Sequence, residues 1–206
     1  PNAGVDSSKW IAESAKWTEN RYAADLSLVY LPHLDYDLQR YGPEDPRIPD
    51  ALREIDQIVG DLIDFYEKKG MGIIILSEYG ITKASKAIFP NRIFRQNGWL
   101  NVKDELGLEY LDCGGSQAFA LTDHQVAHVY LNRKDEAFRN KVRSALEQTD
   151  GISTVLTGDS RKNAGLNHER AGDLIAISDE DAWFAYYHWE EDRLAPDFAR
   201  CVDVHR

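Results

Sequence analysis

Two short apolar runs flanking one long amphipathic stretch constrain this chain more than any other feature. "DLSLVYL" at 25–31 and "GIIIL" at 72–76 carry little polar interruption. Between them, "IPDALREIDQIVGDLIDFYEKKG" sets Leu52, Ile55, Ile58, Val59, Leu62, Ile63 and Tyr66 at helical spacing and stops at Gly70 behind two lysines. Strand, long helix, strand is a βαβ unit, and strands apolar on both faces belong to a parallel sheet covered on both sides. The expectation is an α/β fold with a mostly parallel sheet and helices on both faces. An amphipathic helix from about Ser8 to Ala24, with Trp10, Ile11, Ala15 and Trp17 as its apolar stripe, should precede it. Residues 98–131 read as short strands forming a small β-rich insertion, a kind of element that shapes substrate pockets. In "DAWFAYYHWEED" at 181–192, alternating aromatic residues fit a strand packed on both sides better than a stacking platform for bases.

The polar residues that follow the two apolar runs are the candidate site. Ligands in open α/β sheets bind beyond the carboxyl ends of the strands. Asp35 and Gln39, ahead of a Gly-Pro turn, follow the first run, and Glu78 follows the second. The competing reading makes Asp35 a loop cap and Glu78 a solvated surface group. His33 lies two residues before Asp35, as a supporting partner or a surface residue. His124 and His128 have zinc-like i, i+4 spacing on a helix, but "AHVYLN" reads as strand, where that spacing spans ~13 Å. His124 alone, at a turn, stays a substrate-contact candidate. His168 and Arg170, in a loop with Arg161 and Lys162, are candidates for holding a phosphate, against the alternative of solvated loop charge.

The segment from Tyr30 to Pro43 resembles a motif of the type I phosphodiesterase/nucleotide pyrophosphatase branch of the alkaline phosphatase superfamily, Tyr-x-x-Glu-Pro-Asp-x-x-Gly-His-x-x-Gly-Pro. Tyr30, Asp35, Gln39, Gly42 and Pro43 fall in its register without a gap, and Ser77, Glu78, Tyr79 and Gly80 fall on a later Ser-Asp-His-Gly segment. "NHERAGDLIAI" at 167–177 is similar to a late sheet strand of the same family. The resemblance spans nearly all of residues 1–206 and implies the C-terminal part of a single alkaline-phosphatase-like catalytic domain. It implies metal-dependent hydrolysis of phosphate ester, phosphodiester or pyrophosphate bonds in a phosphorylated small molecule. Asp35, Gln39, Glu78 and, near the end, His205 correspond to metal positions, and Tyr79 to a hydrogen-bond donor near the phosphoryl oxygens.

The departures are as informative. Gln39 stands where the family has a histidine, and Glu78-Tyr79 where it has Asp-His. Oxygen donors of this kind favour Mg, Mn or Ca over a two-zinc centre of Zn ions. Nothing before residue 25 resembles the segment that supplies the family's Thr or Ser nucleophile, and Ser7 and Ser8 in an Asp-Ser-Ser run read as a helix cap. The resemblance therefore implies a partner: the N-terminal part of the same domain, as a second fragment or subunit. A pseudo-enzyme that keeps the fold to bind a ligand is the alternative. The formal charge of −11, from 24 basic and 35 acidic residues, argues against a broad basic face for a nucleic acid duplex. No run reaches the ~18 apolar residues of a membrane span. Two cysteines without metal-like spacing make a reducing, cytoplasmic compartment the default, and the start "PNAGVDSS" reads as a processed or trimmed end.

Overall fold

The computed structural model describes residues 4–200, organised as two compact units, residues 1–83 and 84–206. Three helices build the first unit: α1 (Val5–Tyr22), α2 (His33–Tyr41) and α3 (Ile48–Glu67). On α3 the sequence periodicity holds from Ile58 onward, since Ile58, Leu62 and Tyr66 are buried together with Ala12 of α1, but at the start of the helix Leu52 is exposed and Ala51 is buried in its place. Gly70, at φ +74°, takes the left-handed turn that lets Met71 N–H bond back to the Tyr66 carbonyl and ends the helix. The face of α1 is not the aromatic one expected. Ser8, Ala12 and Glu19 are buried while Trp10 and Trp17 are exposed, and at Ser8 and Ala12 the small side chains let α1 pack closely on its neighbours. Its N-cap is Gly4 rather than a serine.

The two apolar runs depart further from expectation. Residues 25–31 and 72–76 form neither a helix nor a paired strand. Val29 and Leu31 pack against the α1–α3 core, whereas Leu26, Leu28 and Tyr30 on the alternate face are exposed, as are Ile73 to Leu76. The strand propensity is real, but a strand needs a neighbour to satisfy its backbone groups, and here the runs have none among the described residues.

The second unit contains β1 (Lys86–Ile88), α4 (Pro90–Gln96), β2 (Asn101–Glu105), β3 (Leu108–Asp112), β4 (Ala118–Asp123), β5 (Val126–Leu131), α5 (Glu136–Glu147), β6 (Ile152–Leu156), α6 (Gly158–Asn163), β7 (Leu174–Ser178) and β8 (Ala182–Phe184). The mostly parallel sheet is corrected here. The four-stranded sheet, in order β4-β5-β7-β6, is antiparallel throughout, and among the described residues only β1 and β8 pair in parallel. The short Asp123–Val126 connection leaves no room for a crossover, so β4 and β5 must run antiparallel. Residues 98–131 do form strands: β2 and β3 make a separate hairpin, while β4 and β5 are integral to the main sheet.

The core of this unit collects Phe94, Leu131, Phe138, Leu174 and Phe184. Asn91 is buried at the start of α4, its amide donating to the Ala120 carbonyl (2.9 Å) while its oxygen accepts from Ala120 N–H (2.7 Å). The aromatic 181–192 segment is largely core, with Phe184, Ala185, His188 and Trp189 buried.

His188 carries a pH prediction. It is almost wholly buried, its ring bonded to the Glu109 carbonyl at 3.0 Å. Burial pushes its pKa below the ordinary histidine value, assisted by the charge of Arg95 and opposed by the Glu109 carbonyl and carboxylate. The unfolded chain therefore takes up a proton near pH 6.5 that the folded state refuses. Stability of this unit should be fully present above about pH 7 and fall as the pH drops below about 6.5 towards the folded-state pKa. Thermal unfolding between pH 5 and 8 checks this, with His188→Gln expected to flatten the slope; an unchanged slope would assign the effect to other groups.

Candidate active site

Asp35 does not cap a loop. It sits in the first turn of α2, where a carboxylate is favoured by the helix dipole, and the Asp-x-x-x-Gln spacing is the i, i+4 spacing of one helix face. Gln39 Nε2 donates to Asp35 Oδ2 at 2.7 Å. From the segment after 72–76, the Tyr79 hydroxyl donates to Asp35 Oδ1 at 2.8 Å. The turn that delivers it is held by Ser77 Oγ donating to the Tyr79 carbonyl at 2.7 Å. Each Asp35 oxygen thus accepts from a neutral side chain.

The electrostatics follow from this geometry. Hydrogen bonding to Asp35 pushes the Tyr79 phenol well above its ordinary pKa, followed by partial desolvation and the negative charges of Asp35 and Glu78. Tyr30 is raised as well, first by desolvation and then by Glu78 and Asp35, which places both carboxylates in the field of the same phenol. Glu78 itself is exposed. Asp35, Gln39 and Tyr79 therefore form one hydrogen-bonded cluster within the first unit, with Glu78 next to Tyr79 in the chain.

His33 is neither a surface residue nor a second support for Asp35. It is buried, with Nδ1 2.9 Å from Ser8 Oγ, and ties α2 to α1. Sequence reasoning had no signal for this, because the partner lies 25 residues away.

The other site candidates belong to the second unit. His124, at φ +51° in the β4–β5 turn, lies 2.7 Å from Asp123 Oδ1. His168 Nδ1 accepts from Arg170 N–H at 3.1 Å, and the Arg170 carbonyl accepts from Tyr130 near the far end of β5. His124 and Arg170 therefore flank opposite ends of one strand, about 20 Å apart at ~3.4 Å per residue, and do not converge on one ligand. Arg161, in the neighbouring α6, donates to the Gly172 carbonyl, so part of that basic character is structural. His128 accepts from Gly172 N–H at 3.1 Å. His205 lies outside the described residues.

The donor set in the first unit can be tested against a metal. Asp35, Gln39 and Glu78 offer only oxygens, with no imidazole or thiolate. Among the described residues no group of three or more His, Cys, Asp or Glu gathers as a metal cluster. The set fits one hard cation that keeps several waters, and does not fit an imidazole-rich zinc pair.

Solved structures share the fold. The chain matches phosphonoacetate hydrolase from Sinorhizobium meliloti 1021, solved with phosphonoacetate, at a TM-score of 0.62 and 15% identity, covering 91% of this chain and 45% of that one. Murine ectonucleotide pyrophosphatase/phosphodiesterase 5 matches at a TM-score of 0.57 and 18% identity, covering 88% and 45%. Residues 3–202 match the family described as type I phosphodiesterase/nucleotide pyrophosphatase. The chain belongs to that family, within the alkaline phosphatase superfamily. An uncharacterised pyrophosphatase/phosphodiesterase of Schizosaccharomyces pombe is 34% identical over 160 residues, covering 75% of this chain and 30% of the relative. Human ectonucleotide pyrophosphatase/phosphodiesterase family member 7 is 28% identical over 123 residues, covering 54% and 25%. The chain thus spans less than half of each of these proteins.

Proposed function

We propose that this chain is one part of a hydrolase that cleaves phosphate ester, phosphodiester or pyrophosphate bonds in phosphorylated small molecules. The observation that supports it is the gathering of Asp35, Gln39 and Tyr79, with Glu78 next to Tyr79, after two apolar runs, in a chain of this family. Asp35 and Glu78 would hold a divalent cation, Mg, Mn or Ca before Zn, with the Gln39 carbonyl and His205 as further ligands. When bound, the cation would offset phosphoryl charge and lower the pKa of an attacking hydroxyl or water. The nucleophile comes from a segment beyond the part of the domain spanned here. On the second unit, His168 and Arg170, two residues apart in one loop, are the candidates for a phosphate contact, and His124 stands apart from them.

The hydrogen bonds around Asp35 redefine Tyr79. Its hydroxyl occupies an oxygen that a cation needs, so phenol and cation compete for Asp35. Tyr79→Phe is expected to tighten Mn binding several-fold while lowering the stability of the first unit by about 1 kcal/mol. Calorimetric titration with Mn checks the first effect, and urea denaturation the second. Weaker Mn binding in the variant would return Tyr79 to the role of a supporting donor.

The same saturation of Asp35 by neutral donors favours a second reading, a pseudo-enzyme that keeps the fold to bind a ligand without hydrolysis. Elemental analysis of the purified protein, with turnover of bis(p-nitrophenyl) phosphate measured in the presence of the rest of the domain, separates the two. Bound metal with turnover supports the hydrolase; absence of both supports the pseudo-enzyme.

A further inference from the structure

We propose that β5 and the turn at 167–172 build a subsite for a phosphoryl oxyanion on the second unit, with His128 and His168 as Nε2–H donors and Arg170 as the cation. The inference rests on the reading above for the class of its ligand alone, and it makes His128 and Arg161 part of the site that His168 and Arg170 begin.

The backbone fixes which nitrogen of each ring carries the proton. Gly172 N–H donates to His128 Nδ1 and Arg170 N–H to His168 Nδ1, both at 3.1 Å. A nitrogen that accepts an N–H offers its lone pair, so in each neutral imidazole the proton lies on Nε2. Neither Nε2 has a partner among the described residues, and neither is shut away from solvent. Each ring is left with one free donor. It is also set against metal chemistry, because a ligating Nε2 would need its proton moved to Nδ1, against the N–H already pointing there.

The two donors belong to one braced arrangement. Ala171 N–H bonds the His168 carbonyl at 3.0 Å and closes the turn. The turn is fastened to β5, where His128 and Tyr130, two residues apart, lie on the same side of the strand. The Tyr130 hydroxyl donates to the Arg170 carbonyl at 2.9 Å, and its ring stacks on Phe119 of β4 at 5.3 Å between centroids. Gly172 completes the attachment: lacking a Cβ, it lies close enough to the Val129 backbone for its N–H to reach His128. The Arg170 backbone thus makes two bonds while its side chain is exposed.

Charge supplies the attraction. Arg47, Arg95, Arg133, Arg143 and Arg193 each hold a carboxylate, as the chain's excess of acid allows. Arg161, Lys162 and Arg170 hold none among the described residues. Arg161 instead donates to two neutral oxygens, the Gly172 carbonyl and, at 3.4 Å, Asn167 Oδ1, and its Nε is buried without an acceptor. Its positive charge is therefore left unneutralised beside the turn. Of the nearby acids, Asp173 is taken up by Lys134 at 2.8 and 2.9 Å, and Glu169 is exposed. Neutral N–H donors next to unpaired guanidinium groups suit a phosphoryl group, whose anionic oxygens accept.

Nuclear magnetic resonance of the 206-residue chain with isotopically labelled histidine tests the subsite, with EDTA present so that no cation at Asp35 takes part. Near neutral pH both rings are expected in the Nε2–H form. Inorganic phosphate should move both Nε2 signals together, with a dissociation constant of roughly 1 mM. Arg170→Gln should weaken phosphate binding ~10-fold or more. His168→Asn keeps an oxygen at the Nδ1 position for the Arg170 N–H but lacks the Nε2 donor, and should weaken binding ~3- to 10-fold; His128→Asn does the same for Gly172. Arg170 and His168 are exposed, so their variants keep the fold even if His128→Asn does not. A response matched by chloride or acetate at equal ionic strength, an Nδ1–H form of either ring, or unchanged phosphate affinity in Arg170→Gln would each overturn the proposal. Phosphate bound here without bis(p-nitrophenyl) phosphate turnover in the presence of the rest of the domain supports the subsite and removes the hydrolase reading; turnover without phosphate at these rings does the reverse.

Discussion

Asp35→Asn is expected to reduce divalent-cation affinity by roughly 100- to 1000-fold. Removing a unit negative charge about 4 Å from a cation forfeits ~4 kcal/mol per cation charge at an effective dielectric near 20, before solvent screening reduces the figure. Each 1.4 kcal/mol is about tenfold in affinity. The substitution is isosteric and Asp35 lies on α2 outside the buried clusters, so the fold should tolerate it. Glu78 is more exposed, and Glu78→Gln should weaken binding by less, ~10-fold or more. Calorimetric titration with Mn and Mg on each variant checks both. Unchanged affinity in the two variants would remove the metal site, and a wild-type chain that binds neither ion would favour the pseudo-enzyme.

What the sequence disclosed about this site was its chemistry more than its geometry. Periodicity locates α3 and strand propensity locates β5, because those signals are local, whereas the β7 segment is reached only through the resemblance. The register of Tyr30, Asp35 and Gln39 points to the family, but an apolar run ending at Asp35 suggests a strand giving way to a loop, where the structure has α2. The four-residue spacing to Gln39 is the helical signal in this stretch, and the structure shows it as a hydrogen bond within α2. Pairing was not legible at all. "DLSLVYL" and "GIIIL" read as a parallel pair because each is apolar, but apolarity reports that a segment seeks cover and does not report which neighbour supplies it. The antiparallel sense of the main sheet has no local signal for a related reason. Its sense is set by the short β4–β5 connection and by the pairing of β7 with β6 and, across more than 40 residues of sequence, with β5. The buried His33–Ser8 contact and the sorting of α1 by small residues are likewise tertiary outcomes with no local marker.

Gly172→Ala should destabilise the second unit by about 3 kcal/mol or more, the upper range for overpacking. A Cβ at residue 172 would lie 2.6 Å from Val129 N and 2.8 Å from the Val129 and Leu174 carbonyl oxygens. These are backbone atoms of paired strands at the centre of the sheet, so no side-chain rotation relieves the clash. The same residue donates to His128 and accepts from Arg161, and moving it strains both contacts. Gly60 supplies the control: it lies within α3 with nothing near its Cβ position, and Gly60→Ala should stabilise the first unit by roughly 0.5–1 kcal/mol. Urea denaturation followed by tryptophan fluorescence measures both variants. A loss below about 1 kcal/mol in Gly172→Ala would mean that β5 and β7 separate easily enough to admit a methyl group, against the close packing expected of a buried sheet. Because His168 and Arg170 lie just before Gly172, the backbone shift that accommodates the alanine should also displace those two side chains, and with them any phosphate contact the loop makes.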